Sequence, residues 1–347
     1  MIDWISCVIP YRGGPVSEKF LKVYEHAPHD PVEAFRKKVA LEGSFSSKLM
    51  VQASTAEMYI SCNPGRWLTG QNAVGTDDIH FLLSILFRRV CQRLGRSECP
   101  VGLAAIANGD VRLTRADCTF HYHVGTDLDV ATWCEGMGQN CHARFRGRGH
   151  FDAGMCSTIF GVSMKEGAKP KGSRHSSFKF YNKWREIGQH PFTCDKAIAD
   201  ELRAMVEGEV RAEALYRALE LKKLGLEYTR NWDENTSWML HKSWIDKMEI
   251  SQNVQLLSSQ ERDLRSGLKP TYRLWATGQN VRELLPRRTF YAHRKELLAL
   301  HGIDIAVTRP DREKSVRAVP ILEVIRAKPV CEVQRTKLFY DLLSDAA

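Results

Sequence analysis

VRLTRADCTFHYHV, residues 111–124, alternates with period two, so Arg115, Asp117, Thr119, His121 and His123 share one face of a strand. That face is polar along its length, a polar stripe rather than a core stripe. Two imidazoles at i and i+2, with Asp117 four residues before the first, point the same way. Such a donor set suits Mn2+ or Zn2+ and tolerates Mg2+. An isolated His-x-His also fits a half-exposed strand that binds nothing, and the residues alone leave both readings open.

Downstream, SFKFYNKW at 177–184 alternates again after a turn rich in Gly, Lys and Ser. Ser177, Lys179, Tyr181 and Lys183 fall on one face and Phe178 and Phe180 on the other. Nearby cations favour a phenolate over a phenol whose ordinary pKa is about 10, and they attract phosphate. Tyr181 is therefore a candidate nucleophile, with Lys183 as its catalytic partner and Lys179 as a DNA contact; a half-buried edge tyrosine is the plainer alternative. In GEVRAEALY at 208–216, Arg211 and Glu213 share a face, making Glu213 either a further acidic ligand or half of a cross-strand ion pair. The candidate metal set is Asp117, His121, His123 and Glu213. Metal ligands, a nucleophile and cations on successive strands are what phosphodiester transesterification requires.

Further outward, WISCVIP at 4–10, KLMVQAS at 48–54 and EMYISC at 57–62 read as short strands, while Phe81, Leu82, Ile85, Leu86 and Val90 recur at helical spacing. Helices are expected near 127–136 and 195–206. The expected class is α+β, a central antiparallel sheet flanked by helices, over residues 1–230. A helical connection over 231–268 and a small helical C-terminal unit over 269–347 follow. That unit has helix-turn-helix character, with a Gly278 turn, Pro286 opening a helix and Gly302 beyond its end. Arg287 and Arg288 there, and Arg144, Arg146 and Arg148 interleaved with Phe145 and Phe151 in the loop 142–151, are candidate DNA contacts.

Fifty Lys and Arg against 41 Asp and Glu leave a formal charge of +9, the sign a polyphosphate partner rewards by counterion release. The ten cysteines show no CxxC pair, and Cys134, Cys141, His142, His150 and Cys156 lack zinc-ligand spacing. No apolar run approaches eighteen residues, and the N-terminus has no secretory pattern. A reduced, cytoplasmic protein with no membrane partner is expected.

The order of motifs resembles the gene-two replication initiators of filamentous phages. NPGRWLTGQNAVGTDDI at 63–79 is similar to their S-P-A-K-x-x-Q-G-H-N-x-x-G-T-x-D-L signature, and LTRADCTF at 113–120 to S-R-I-D-A-T-F. FKFYNKW resembles the strand whose Tyr-x-Lys supplies the DNA-attacking tyrosine, and EGEVRAEALYRALELKKLGL a V-R-x-E strand followed by a helix. LPRRTFYAHRKELLALHGIDI resembles the C-terminal domain attached to these initiators. Gln71 and Asn72 stand where the family often shows His-Asn, so a histidine ligand or DNA contact is replaced there. His121 and His123 match the H-hydrophobic-H pattern of the wider HUH endonuclease superfamily.

The resemblance implies a rolling-circle initiator that nicks the origin strand with Mg2+ or Mn2+, keeps a 5′-phosphotyrosyl bond on Tyr181 and later rejoins the displaced strand. It also implies origin DNA as partner, the host helicase and polymerase as followers, an oligomer at the origin and action in the bacterial cytoplasm. Competing classes are a DNA-binding regulator without catalysis and a metal-dependent phosphodiesterase that hydrolyses with water.

Overall fold

The computed structural model describes residues 1–347 apart from 17–19, 25–32, 37, 44, 46, 145, 164–170, 251–263, 302, 307–320, 327–328, 331 and 346–347. Its centre is a nine-stranded sheet built from the alternating segments. In chain order the strands are β1 (Ile2–Pro10), β2 (Val39–Glu42), β3 (Lys48–Ala53), β4 (Glu57–Cys62), β5 (Arg112–His123), β6 (His150–Asp152), β7 (Ser157–Phe160), β8 (Ser176–Asn182) and β9 (Glu209–Arg217). Their order across the sheet is β6-β7-β8-β9-β5-β1-β4-β3-β2, and every pairing is antiparallel. The three segments that carry the candidate chemistry, β8, β9 and β5, are thus adjacent central strands. An α+β class is what the pattern called for.

One face of the sheet is apolar. Phe178, Phe180, Ala212, Ala214, Cys118, Phe120, Ile5 and Cys7 are buried there, as period-two alternation requires. The helices that cover the core are α1 (Pro64–Thr69), α2 (Ile79–Arg93), α3 (Pro100–Ala107), α4 (Asp127–Asn140), α5 (Lys183–Gln189), α6 (Lys196–Met205), α7 (Ala218–Lys223) and α8 (Thr236–Ile245). Trp133 of α4 meets Phe180 edge-on at 4.9 Å and Trp244 of α8 stacks on Phe178 at 5.6 Å. Thr126 and Asp129 form a capping box that starts α4, and Asp78 caps α2 through Phe81 N.

The connection past 230 is not wholly helical. After α8, Met248–Ile250 pairs as a strand with Cys141–Ala143, which also pairs with Gly147–Arg148. Most of the expected second helical stretch lies outside the described residues. Beyond it come α9 (Leu268–Ala276), α10 (Val281–Leu284) and α11 (Arg287–His301), which share a small separate core of Leu268, Tyr272, Trp275, Val281, Phe290 and Leu297. The chain then returns: α12 (Ile321–Arg326) and α13 (Glu332–Asp345) bury Ile325, Phe339, Leu342 and Leu343 in the main core. The expected unit 269–347 thus divides its apolar residues between two cores. No helix among the described residues is long and apolar enough to cross a membrane.

Candidate active site

The other face of β8, β9 and β5 is polar, and its centre, Tyr181, Arg211, His121 and Thr119, is buried as well. In register, Tyr181 lies beside Arg211 and Arg211 beside His121, while Lys179 lies beside Glu213 and Glu213 beside Thr119. Tyr181 is 5% exposed, Arg211 0% and His121 1%. Charges so dry persist only when paired.

The pairing comes from elements far apart in sequence. A register shift in β1 between Ile2 and Trp4 sets Asp3 apart, and its carboxylate lies 2.6 Å from Arg211 Nη2. Asn63 and Asn72 donate to the same oxygen at 2.9 and 3.1 Å. Although burial favours the neutral form, Arg211, Lys183 and these amides hold the Asp3 carboxyl below its usual range. Arg211 also donates to the Asn72 carbonyl and to Thr119 Oγ1.

The signature 63–79 is the loop that delivers these groups. Asn63 caps α1 through Arg66 N, Pro64 follows at the first turn, and Gly70 ends the helix at φ 74°, where a Cβ would lie 2.6 Å from Cys194 N. Gln71 spends its amide inside the loop: Oε1 accepts from Ala73 N and Val74 N, and Nε2 donates to Thr69 Oγ1 and the Val74 carbonyl. It shapes the turn that presents Asn72.

Tyr181 donates to Glu213 Oε2 at 3.4 Å. Lys179 lies over its ring, 4.7 Å from the centroid. The expectation that two flanking lysines ease ionisation is corrected here. Burial pushes the phenol well above its ordinary pKa, and Glu213, Asp3 and Glu186 add to the effect while Arg211 opposes it. Burial, with Asp3, also raises the Glu213 carboxyl. Lys183 does not continue the strand face: β8 ends at Asn182, which caps α5, so Lys183 starts a helix. Its ammonium donates to Asn72 Oδ1 at 2.8 Å and to Glu186 at 2.6 Å. Burial, followed by the Arg211 charge, lowers its pKa to about 8.

The four expected metal ligands do not converge. Among the described residues, no group of three or more His, Cys, Asp or Glu side chains is placed to hold an ion. Asp117 takes two bonds from Arg115, at 2.9 and 2.5 Å, and burial together with Glu213 and Asp3 still pushes its carboxyl up to about 7. His121 Nδ1 meets Glu209 Oε2 at 3.1 Å. Glu213 meets Tyr181. His123, at the end of β5, is exposed.

The candidate DNA contacts separate likewise. Arg144 pairs with Glu249 at 2.5 Å, and Arg146 pairs with Glu220 at 3.4 Å and lies over Trp244. Trp244 belongs to the apolar side, so Arg146 is across the sheet from Tyr181. The Arg148 and Phe145 side chains lie outside the described residues. Arg287 and Arg288 are exposed on the first turn of α11.

Sequence reading missed Asp3, Asn72, Glu209 and Arg335 as site residues. Asn72 had a signal, its place in the signature. Asp3 and Arg335 had none, because the opposite charges they pair with, Arg211 and Glu209, stand more than a hundred residues away.

A family model for the N-terminal region of the phage replication-associated protein encoded by gene two matches residues 1–235, and a model for the C-terminal region of the same protein matches 256–334. The replication-associated protein of Enterobacteria phage I2-2 is 30% identical over 345 residues, covering 95% of this chain and 94% of that relative.

Proposed function

The chain belongs to the gene-two replication-associated protein family of filamentous phages, and we propose that it opens rolling-circle replication by cutting one origin strand with Tyr181. The observation that carries this reading is the Tyr181 hydroxyl donating to Glu213 in a buried layer that also contains Arg211 and Lys183. A phenol whose pKa is raised needs a base, and a carboxylate whose own pKa is raised is a better proton acceptor than an exposed one.

In the proposed step Glu213 takes the Tyr181 proton as the phenolic oxygen attacks the phosphorus. The O–P bond to tyrosine forms, the P–O3′ bond breaks, and the leaving 3′-oxygen takes a proton. Lys183, with its pKa near 8, is the ammonium at the site that gives one up most readily. Lys179, half-exposed over the Tyr181 ring, offsets charge on the arriving phosphate. The phosphotyrosyl ester conserves the bond, so a later 3′-hydroxyl reverses the exchange and closes a circle without another energy source. Host helicase and polymerase would act on the freed 3′ end. Because Tyr181 is 5% exposed, opening of the polar layer to admit the strand is part of the proposal.

No step runs through a metal, since the expected ligands do not converge. Mg2+ and Mn2+ are separate arms of the assay. Wild-type protein incubated with an origin oligonucleotide should yield a protein–DNA adduct whose peptide map ends on Tyr181, and Tyr181→Phe should yield none. An adduct of equal amount with the Phe variant removes Tyr181 from the role. Cut DNA without adduct would favour the hydrolytic alternative. Arg287 and Arg288, exposed on α11, support an added contact to duplex DNA from the C-terminal unit.

A further inference from the structure

β5 is longer than its neighbour β1. Ile2 pairs with Cys118, so on that side the last residues of β5 lie beyond the β1 pairing. The Met1 amine donates to the Thr119 carbonyl at 2.8 Å, and at the next outward-facing carbonyl, that of His121, the donor is Val330 N at 2.8 Å. The C-terminal segment thus takes up the edge of the catalytic strand where β1 stops.

Five residues on, Arg335 of α13 reaches the polar face. Its Nη2 lies 2.9 and 2.7 Å from the two oxygens of Glu209, and Glu209 Oε2 lies 3.1 Å from His121 Nδ1. All three side chains are buried. The position of Arg335 does not depend on the ion pair alone. Phe339 on the same helix is buried in the main core, and Tyr340 meets Thr76 Oγ1 at 3.0 Å and the Phe81 ring edge-on.

A carboxylate facing Nδ1 can only accept, so the ring proton sits on Nδ1 and the lone pair on Nε2. Nε2 is buried and has no hydrogen-bond partner among the described residues. His121 lies beside Arg211 and Arg211 beside Tyr181 in the sheet register, so the ring belongs to the same polar layer as Tyr181, two strands away. An unpaired buried acceptor costs free energy unless something uses it.

We propose that Glu209 and Arg335 are positioning residues of the nicking site: they fix His121 as the Nδ1–H form and present its Nε2 lone pair to the reaction at Tyr181. The C-terminal helix is then part of the active site. This rests on the nicking reading above and adds to it the requirement for α13.

The test uses the full chain with 15N-labelled histidine, the His121 signals being assigned with His121→Asn. Single-turnover adduct formation on an origin oligonucleotide is measured beside it. Arg335→Met should slow adduct formation at saturating DNA by about tenfold or more. The DNA concentration giving half-maximal rate should stay within about twofold, and the His121 nitrogens should lose the Nδ1–H pattern. Arg335→Lys, which keeps the charge, should recover much of the rate. Glu209→Gln, which keeps the shape, gives the same reading if Arg335→Met does not fold. Rates within about twofold of wild type in Arg335→Met and Glu209→Gln, or an unchanged His121 pattern in both, would overturn the inference while leaving Tyr181 chemistry standing. Absence of any adduct from wild type would sink both.

Discussion

Phe180 and Tyr181 are neighbours on one strand and both are buried, yet their surroundings differ in kind. Phe180 meets Trp133, Phe178 and Phe160 in edge-on ring contacts. Tyr181 lies among Arg211, Glu213, Asp3 and Glu186, with Lys179 over its ring. Dispersion and the hydrophobic effect hold the first face, and these are non-directional, so another side chain of similar volume serves. The second face holds because each charge has a partner at a fixed distance, and removing one partner strands the other. Equal burial therefore does not mean equal tolerance.

The largest expected effect comes from Arg211→Met, which nearly keeps the volume and removes the charge. It leaves Asp3 and the Asn72 carbonyl without their main donor and should cost about 3–5 kcal/mol in urea unfolding. A loss under about 1 kcal/mol would show the polar face to be as forgiving as the apolar one.

Next comes a pH dependence. The Asp117 carboxyl is pushed up to about 7 in the fold, against about 3.9 in an unfolded chain. Between those values the native state binds more protons than the unfolded one, so this group makes stability fall as pH rises, with no further change above the folded value. Asp117→Asn lacks the group, so its stability relative to wild type should improve by about 3 kcal/mol between about pH 4.5 and 7.5. Parallel stability curves for the two proteins would show that Asp117 stays ionised throughout.

On the apolar face, Phe180→Leu should cost only about 1 kcal/mol in the same unfolding measurement, and adduct formation should persist. The smallest effect on stability belongs to Lys179→Ala, within about 0.5 kcal/mol, because the side chain is half-exposed. Its signature is instead in binding: the salt dependence of DNA affinity should lose about one unit of slope. An unchanged slope would take Lys179 off the strand's path.

The alternation in 111–124, 177–182 and 208–216 makes β5, β8 and β9 legible, and with them the class of fold and the line of Asp117, His121, Tyr181, Arg211 and Glu213. Period-two geometry is a local property, so a sequence displays it. Which charges neutralise which is not local. Lys183 reads as the next residue of a strand, but Asn182 accepts from Arg185 N and turns the chain into α5. Arg144 and Arg146 read as open to DNA, and the fold brings Glu249 and Glu220 to them.

The sequence by itself determined the family, through ordered motifs, and the two-faced strands of the sheet. Only the tertiary structure decided that the centre of the polar face is dry, that Asp3 partners Arg211 and that Arg335 reaches His121 through Glu209. The reason is that burial and pairing depend on distance in space, and Arg335 and Glu209, like Arg211 and Asp3, stand more than a hundred residues apart along the chain.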